Sequence, residues 1–226
     1  MRYSPQAPLQ WAPYWQKLLC HPNEPDEPIV EPDEPVTPDE PATPGVKKFA
    51  DIGNHSWAED AINYLAEEGI IKGTSETTFS PAANITRADF AILLVRAFKL
   101  ESESTENFAD VSANDYFASE LAIARNTGIV GGIGDNKYAP RKTITRQDMM
   151  VIVHRVLEKL GIELRDGEVD HADFDKLPDY AKDAVRTLIA NGLINGKNGL
   201  IDGSANTTRA EVAVLIKRIL DFTASK

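Results

Sequence analysis

The sequence predicts an all-α domain: three helix–loop–helix repeats in a pseudo-threefold arrangement, with a central three-helix bundle. Three observations carry the prediction. Short blocks recur three times in the same order, the first two copies at a constant offset of 59 residues. The first helical stretch of each copy is apolar along one stripe. The second is apolar over more than one face, which belongs to a helix enclosed by others.

The blocks fix the order of elements. Phe49-Ala50-Asp51 recurs as Phe108-Ala109-Asp110 and, less well, as Phe174-Asp175-Lys176. The first helix follows, with Ser56, Asp115 and Asp179 as N-cap candidates and Ser56 with Glu59 as a capping box. In copy one Ala58, Ala61, Ile62 and Leu65 form its apolar stripe, with Glu59, Glu67 and Glu68 off it. Gly69, Gly128 and Gly192 then suit the residue after the helix, where a left-handed backbone costs glycine little. Each opens a block of one pattern: Gly69 to Gly73, Gly128 to Gly132 and Gly192 to Gly196.

A loop leads on to the second helix. Phe79-Ser80-Pro81 is matched by Tyr138-Ala139-Pro140, whereas copy three has Ile201 and Gly203 in place of the aromatic and the proline. Thr86, Thr145 and Thr208 cap the second helix, and Asp89, Asp148 and Glu211 three residues on are placed to return a bond to the cap backbone. Apolar runs follow: Phe90 to Val95, Met149 to Val153 and Val212 to Ile216. A unit of this length buries too little surface to stand alone, so the copies are expected to share one core.

The rest of the chain differs in kind. Residues 21–44 hold eight prolines and eight acids and no Lys or Arg, the composition of an extended, semi-rigid spacer. Residues 1–20 form a leader of unknown role. Prolines and glutamines interrupt any apolar core there, so no export signal is visible, and a surface protein would need one upstream. The expected divisions are 1–20, 21–44, and repeats at 45–101, 102–162 and 163–226.

The net charge is −11, much of it in the spacer, which leaves the repeats mildly acidic. That balance argues against a duplex nucleic-acid partner, whose affinity rests on many phosphate contacts, and disfavours an anionic membrane surface. No apolar run reaches the roughly 20 residues a spanning helix needs, so no membrane insertion is expected. A single cysteine, Cys20, supports neither a disulfide framework nor a cysteine metal site. No nucleophile–base constellation, phosphate loop or calcium loop is found, and no enzyme, cofactor or metal is expected.

The informative residues are Arg87, Arg146 and Arg209, each directly after its cap. A cation at the positive end of a helix is mildly unfavourable, so helix stability does not place it there three times. A guanidinium beside free helix N–H groups would receive a carboxylate or phosphate. Alternatively, each arginine pairs with a protein acid such as Asp51, Asp110 or the acid of its own motif. Trp57, Tyr116 and Tyr180, each twelve residues before the glycine that ends the first helix, either stack on sugar rings or anchor the core. Aromatic plus arginine describes a cleft for an acidic saccharide between neighbouring copies.

These blocks resemble the S-layer homology (SLH) repeat of bacterial surface proteins: F-x-D, an aromatic, G-[IL]-[IV]-x-G, an aromatic-x-P loop, then I-T-R-A-E. The resemblance covers residues 49–222 in the usual triplet. It implies a three-pronged domain with the T-R-A-E helices at the centre, at the cell surface in the wall or S-layer. It also implies non-covalent binding of secondary cell-wall polysaccharide in grooves between repeats, with pyruvylated N-acetylmannosamine as the typical ligand. By motif, the binding residues would be Arg87, Arg146, Arg209, Trp57, Tyr116 and Tyr180. Thr86, Asp89, Thr145, Asp148, Thr208, Glu211, Gly73, Gly132 and Gly196 would support them. T-R-A-D and T-R-Q-D replace T-R-A-E in copies one and two, and copy three lacks the F-x-D acid and the loop proline. The alternatives are a repeat scaffold for an S-layer or other surface protein, or the anchoring fragment of a larger surface enzyme.

Overall fold

In the computed structural model, residues 49–226 are described; the leader, the spacer and Cys20 lie outside them. Six α-helices carry the fold: α1 (Ser56–Glu67), α2 (Arg87–Ala97), α3 (Ala118–Asn126), α4 (Arg146–Lys159), α5 (Asp179–Ala190) and α6 (Arg209–Ala224). Among the described residues strand pairing is confined to isolated bridges. No helix there is long and apolar enough to cross a membrane.

Burial follows the two kinds of periodicity. In α2 every residue but Asp89 and Arg96 is buried, whereas α1 buries only the stripe Ala58, Ala61, Ile62 and Leu65. The main partner of the stripe is not the second helix of its own copy. Instead α1 lies on α6, α3 on α2 and α5 on α4, so each amphipathic helix covers the apolar helix of the copy before it, and copy one covers copy three. One contiguous apolar cluster runs through all three copies.

The inner helices are tied together where they begin. The Ile85 N–H donates to the Thr207 carbonyl (3.0 Å), the Thr207 N–H to that of Ile144 (3.3 Å) and the Ile144 N–H to that of Ile85 (3.1 Å), closing a ring of backbone bonds. Ile85 and Ile144 are buried around it, and so is Thr207, whose hydroxyl has no hydrogen-bond partner.

Several local expectations are corrected. Ser56 and Asp179 are first helical residues rather than caps; His55 and Pro178 precede them, and no side chain caps either helix. The helix of copy two begins only at Ala118, because Asp115 is engaged in the preceding turn, taking the Ser112 N–H on one oxygen and Arg141 on the other. The caps Thr86, Thr145 and Thr208 form as expected, each accepting the N–H three residues on. Only Glu211 completes the reciprocal box, bonding the Thr208 N–H at 2.8 Å. Asp89, one methylene shorter, accepts the Thr86 hydroxyl instead (2.6 Å), and Asp148 turns to other partners. Gly69, Gly128 and Gly192 take φ of 68°, 81° and 69° just past their helices, as expected of left-handed caps.

Copy three does have the acid it was expected to lack. Asp51 accepts the N–H groups of Phe79 and Ser80, and Asp110 those of Tyr138 and Ala139. Asp173 accepts those of Ile201 and Asp202 across the same 28-residue separation. The equivalent triplet is therefore His171-Ala172-Asp173, and the His171 ring lies against Gly196 as Phe49 and Phe108 lie against Gly73 and Gly132.

Candidate functional site

The helix starts that carry the arginines are already occupied. The backbone N–H groups of Arg87, Arg146 and Arg209 donate to the carbonyls of Lys142, Ala205 and Ala83. Those of Ala88, Gln147 and Ala210 donate to Pro140, Gly203 and Pro81. With the third N–H on the threonine cap, the inner helices offer no free N–H cluster, and the expected anion receptor at the helix end is corrected. This also explains why Gly203 can replace the loop proline: the position supplies a carbonyl, not a ring.

The arginine side chains follow the same direct path between copies. Arg87 Nε donates to the Tyr138 carbonyl at 2.9 Å, Arg146 Nε to Ile201 at 3.0 Å and Arg209 Nε to Phe79 at 2.9 Å. The guanidinium carbons of Arg87 and Arg209 also stand 4.5 and 4.6 Å from the centroids of the Tyr138 and Phe79 rings, cation–π geometry. Neither Asp51 nor Asp110 pairs with them, and nor does the acid of the arginine's own motif. The partner is the motif acid of the next copy: Asp148 for Arg87 at 3.2 Å and Glu211 for Arg146 at 3.8 Å. Arg209 has no such pair. Its second bond goes to the Lys72 carbonyl (2.8 Å), and burial lowers its pKa against the opposing pull of Asp89, Asp51 and Tyr116.

Three grooves result, each built on one inner helix. The α2 groove collects Lys72, Gly73, Asp89 and Arg96 from copy one, Arg209 from copy three and Tyr116 from copy two. The α4 groove collects Gly131, Gly132, Asp148 and Arg155 from copy two, Arg87 from copy one and Tyr180 from copy three. The α6 groove collects Asn195, Glu211 and Arg218 from copy three, Arg146 from copy two and Trp57 from copy one. Every groove thus needs all three copies. The first two have volumes of about 380 and 400 Å³, and the third about 130 Å³. Small-ligand clefts usually fall at ~300–1,000 Å³, so the α2 and α4 grooves have room for a sugar ring.

The three aromatics are not core residues: Trp57, Tyr116 and Tyr180 are 57%, 65% and 59% exposed. Tyr116 donates its hydroxyl to Asp89 and Tyr180 to Asp148, both at 2.8 Å, which holds the rings at the groove mouths. Desolvation and the bond to Asp89 push the Tyr116 hydroxyl up to about 12, and desolvation and the bond to Asp148 raise Tyr180, so both remain donors at neutral pH. Each groove holds more cationic than acidic side chains in a chain of net charge −11.

Sequence reasoning missed a second row of arginines, Arg96, Arg155 and Arg218, each nine residues beyond the motif arginine and on the same groove as the motif acid. The signal was their constant spacing. It is masked because they stand just beyond the apolar runs, next to further apolar residues of the same helices. No cluster of His, Cys, Asp or Glu suited to a metal ion occurs among the described residues.

Comparison with known proteins finds the same three copies. Residues 48–91, 107–150 and 172–213 each match the family model of the S-layer homology domain. The chain is 32% identical over 179 residues to an amylopullulanase of Thermoanaerobacterium thermosulfurigenes, a match covering 77% of this chain and 10% of that protein. It is 32% identical to an endoglucanase of Bacillus sp. (strain KSM-635), covering 78% and 19%. To the surface-layer 125 kDa protein of Lysinibacillus sphaericus it is 30% identical, covering 73% and 14%. The chain therefore matches only a tenth to a fifth of the length of these relatives.

Proposed function

That the chain belongs to the S-layer homology domain family is the premise from which we propose that its grooves bind an acidic, pyruvylated secondary cell-wall polysaccharide and so hold the protein non-covalently to the wall. Membership locates the chain at the bacterial cell surface or cell wall, as an anchoring module and not a catalytic one. The single observation that carries the finer reading is the composition of the grooves: an exposed aromatic, two or more cations and one acid, assembled from three copies. An aromatic face takes the C–H surface of a sugar, and arginine takes a carboxylate in a two-pronged bond.

The groove acid has a part in this reading as well. Asp89 and Asp148 keep the tyrosine rings upright, leaving the arginines as the groups that meet the ligand's negative charge. Arg209 is one such group in the α2 groove, since among the described residues no carboxylate is paired with it. The catalytic names of two relatives describe those whole proteins, and by this reading the shared segment is what attaches them.

Co-sedimentation with purified cell-wall sacculi tests the proposal. The protein is expected to pellet with intact sacculi and to stay in the supernatant once acid has stripped the polysaccharide. Unchanged pelleting after stripping would contradict the reading and direct attention to peptidoglycan or a surface protein.

A further inference from the structure

The second arginine row is not equivalent in the three grooves. In the α2 groove Arg96 is locked, with Nε and Nη2 both on Glu120 Oε1 at 3.2 and 2.5 Å. In the α6 groove Arg218 is tied to the Leu193 carbonyl at 2.9 Å. Arg155 in the α4 groove is exposed and has no hydrogen-bond or ion-pair partner among the described residues. The motif arginine of that groove, Arg87, is by contrast 8% exposed and committed to the Tyr138 carbonyl, the Tyr138 ring and Asp148.

The floor beneath Arg155 is distinctive too. A Cβ on Gly131 would stand 3.3 Å from Arg155 Nη1, so the guanidinium lies directly over a residue without a side chain. Lys72 and Asn195 hold the corresponding place in the other two grooves. Beside it Ile133 is 61% exposed at the rim, an apolar surface that nothing in the domain covers. An unpaired forked cation, an open floor, an exposed apolar side chain and the Tyr180 ring thus face one cleft of about 400 Å³.

We infer that Arg155, and not the motif arginine Arg87, makes the direct contact with the ligand's carboxylate in the α4 groove, with Ile133 taking an apolar substituent beside that carboxylate. The inference rests on the proposed saccharide reading and refines it: Arg87 sets the groove floor by holding Asp148 and the Tyr138 loop, while Arg155 selects for an acidic sugar. An unengaged guanidinium gives up only water to bind an anion, whereas Arg87 would have to release a protein carboxylate first.

The test is a groove-resolved NMR titration of the whole protein with the pyruvate 4,6-ketal of N-acetylmannosamine, read at the amides of Gly132 (α4 groove) and Gly73 (α2 groove). Plain N-acetylmannosamine serves as the uncharged control. Arg155→Gln should weaken binding at Gly132 by about tenfold, the scale of one lost charge-assisted bond, and leave the Gly73 curve unchanged. In wild-type protein the ketal should be preferred over the control at Gly132 by a similar factor. Equal titration of Gly132 in both proteins overturns the assignment of Arg155 alone. Silence of both grooves in wild-type protein overturns the carboxylate reading, and this inference with it.

Discussion

Asp51, Asp110 and Asp173 each hold a loop by accepting two consecutive backbone N–H groups at 2.7–2.9 Å. Desolvation raises each pKa, but the N–H bonds outweigh it, so each carboxyl is lowered in the folded protein. A carboxyl lowered below its unfolded value of about 3.9 contributes stability that is present above that pH and lost as pH falls through the folded pKa. Asp173→Asn should therefore lower the urea midpoint at pH 7, by about 1–2 kcal/mol of stability for the lost charge-assisted bonds. The variant should also lose less than wild type on going from pH 5 to pH 3. Parallel pH profiles for the two proteins would show that Asp173 is not a stabilising acceptor.

The inner helices begin in one backbone ring, and their first N–H groups are paired across copies, so these elements are fixed mainly by their neighbours. Thr207 is the irregular member, a buried hydroxyl without a partner where Ile85 and Ile144 stand in the other copies. An unpaired buried hydroxyl costs roughly 1–3 kcal/mol. Val has nearly the same shape as Thr without that cost, so Thr207→Val is expected to raise the thermal midpoint, by some 4 °C or less for a domain of this size if about 1 kcal/mol is recovered. A lower midpoint would mean that a bound water satisfies the hydroxyl.

At the scale of the molecule, copy one cannot close its own core. The stripe of α1 is covered by α6, and the Ile85 N–H and Arg209 contacts join the first copy to the last. Removing residues 163–226 should therefore expose α1 and α4, which lose α6 and α5, and abolish cooperative unfolding of the remainder, seen as loss of near-ultraviolet circular dichroism with dye binding to apolar surface. A two-copy fragment that unfolds in one sharp transition would show instead that the closing contacts add little. The same dependence governs the grooves, since the α2 groove takes Arg209 from copy three and the α4 groove takes Tyr180 from it.

The local chemistry is legible along the chain: three copies, the threonine caps, the glycine helix ends, the apolar faces and the arginine–aromatic pairs that mark the grooves. These are short-range consequences of backbone geometry and periodicity, and they can be read wherever the spacing is constant. Phe174 imitates the aromatic of the block and draws the third acid out of register, whereas a constant separation of 28 residues to the loop marks Asp173. Which copy each helix covers, which arginine is spent on a neighbour's carboxylate and which is left open follow from the folded arrangement alone. Packing partners many residues apart leave no periodic trace along the chain, and whether a guanidinium is engaged depends on where the next copy's loop comes to rest.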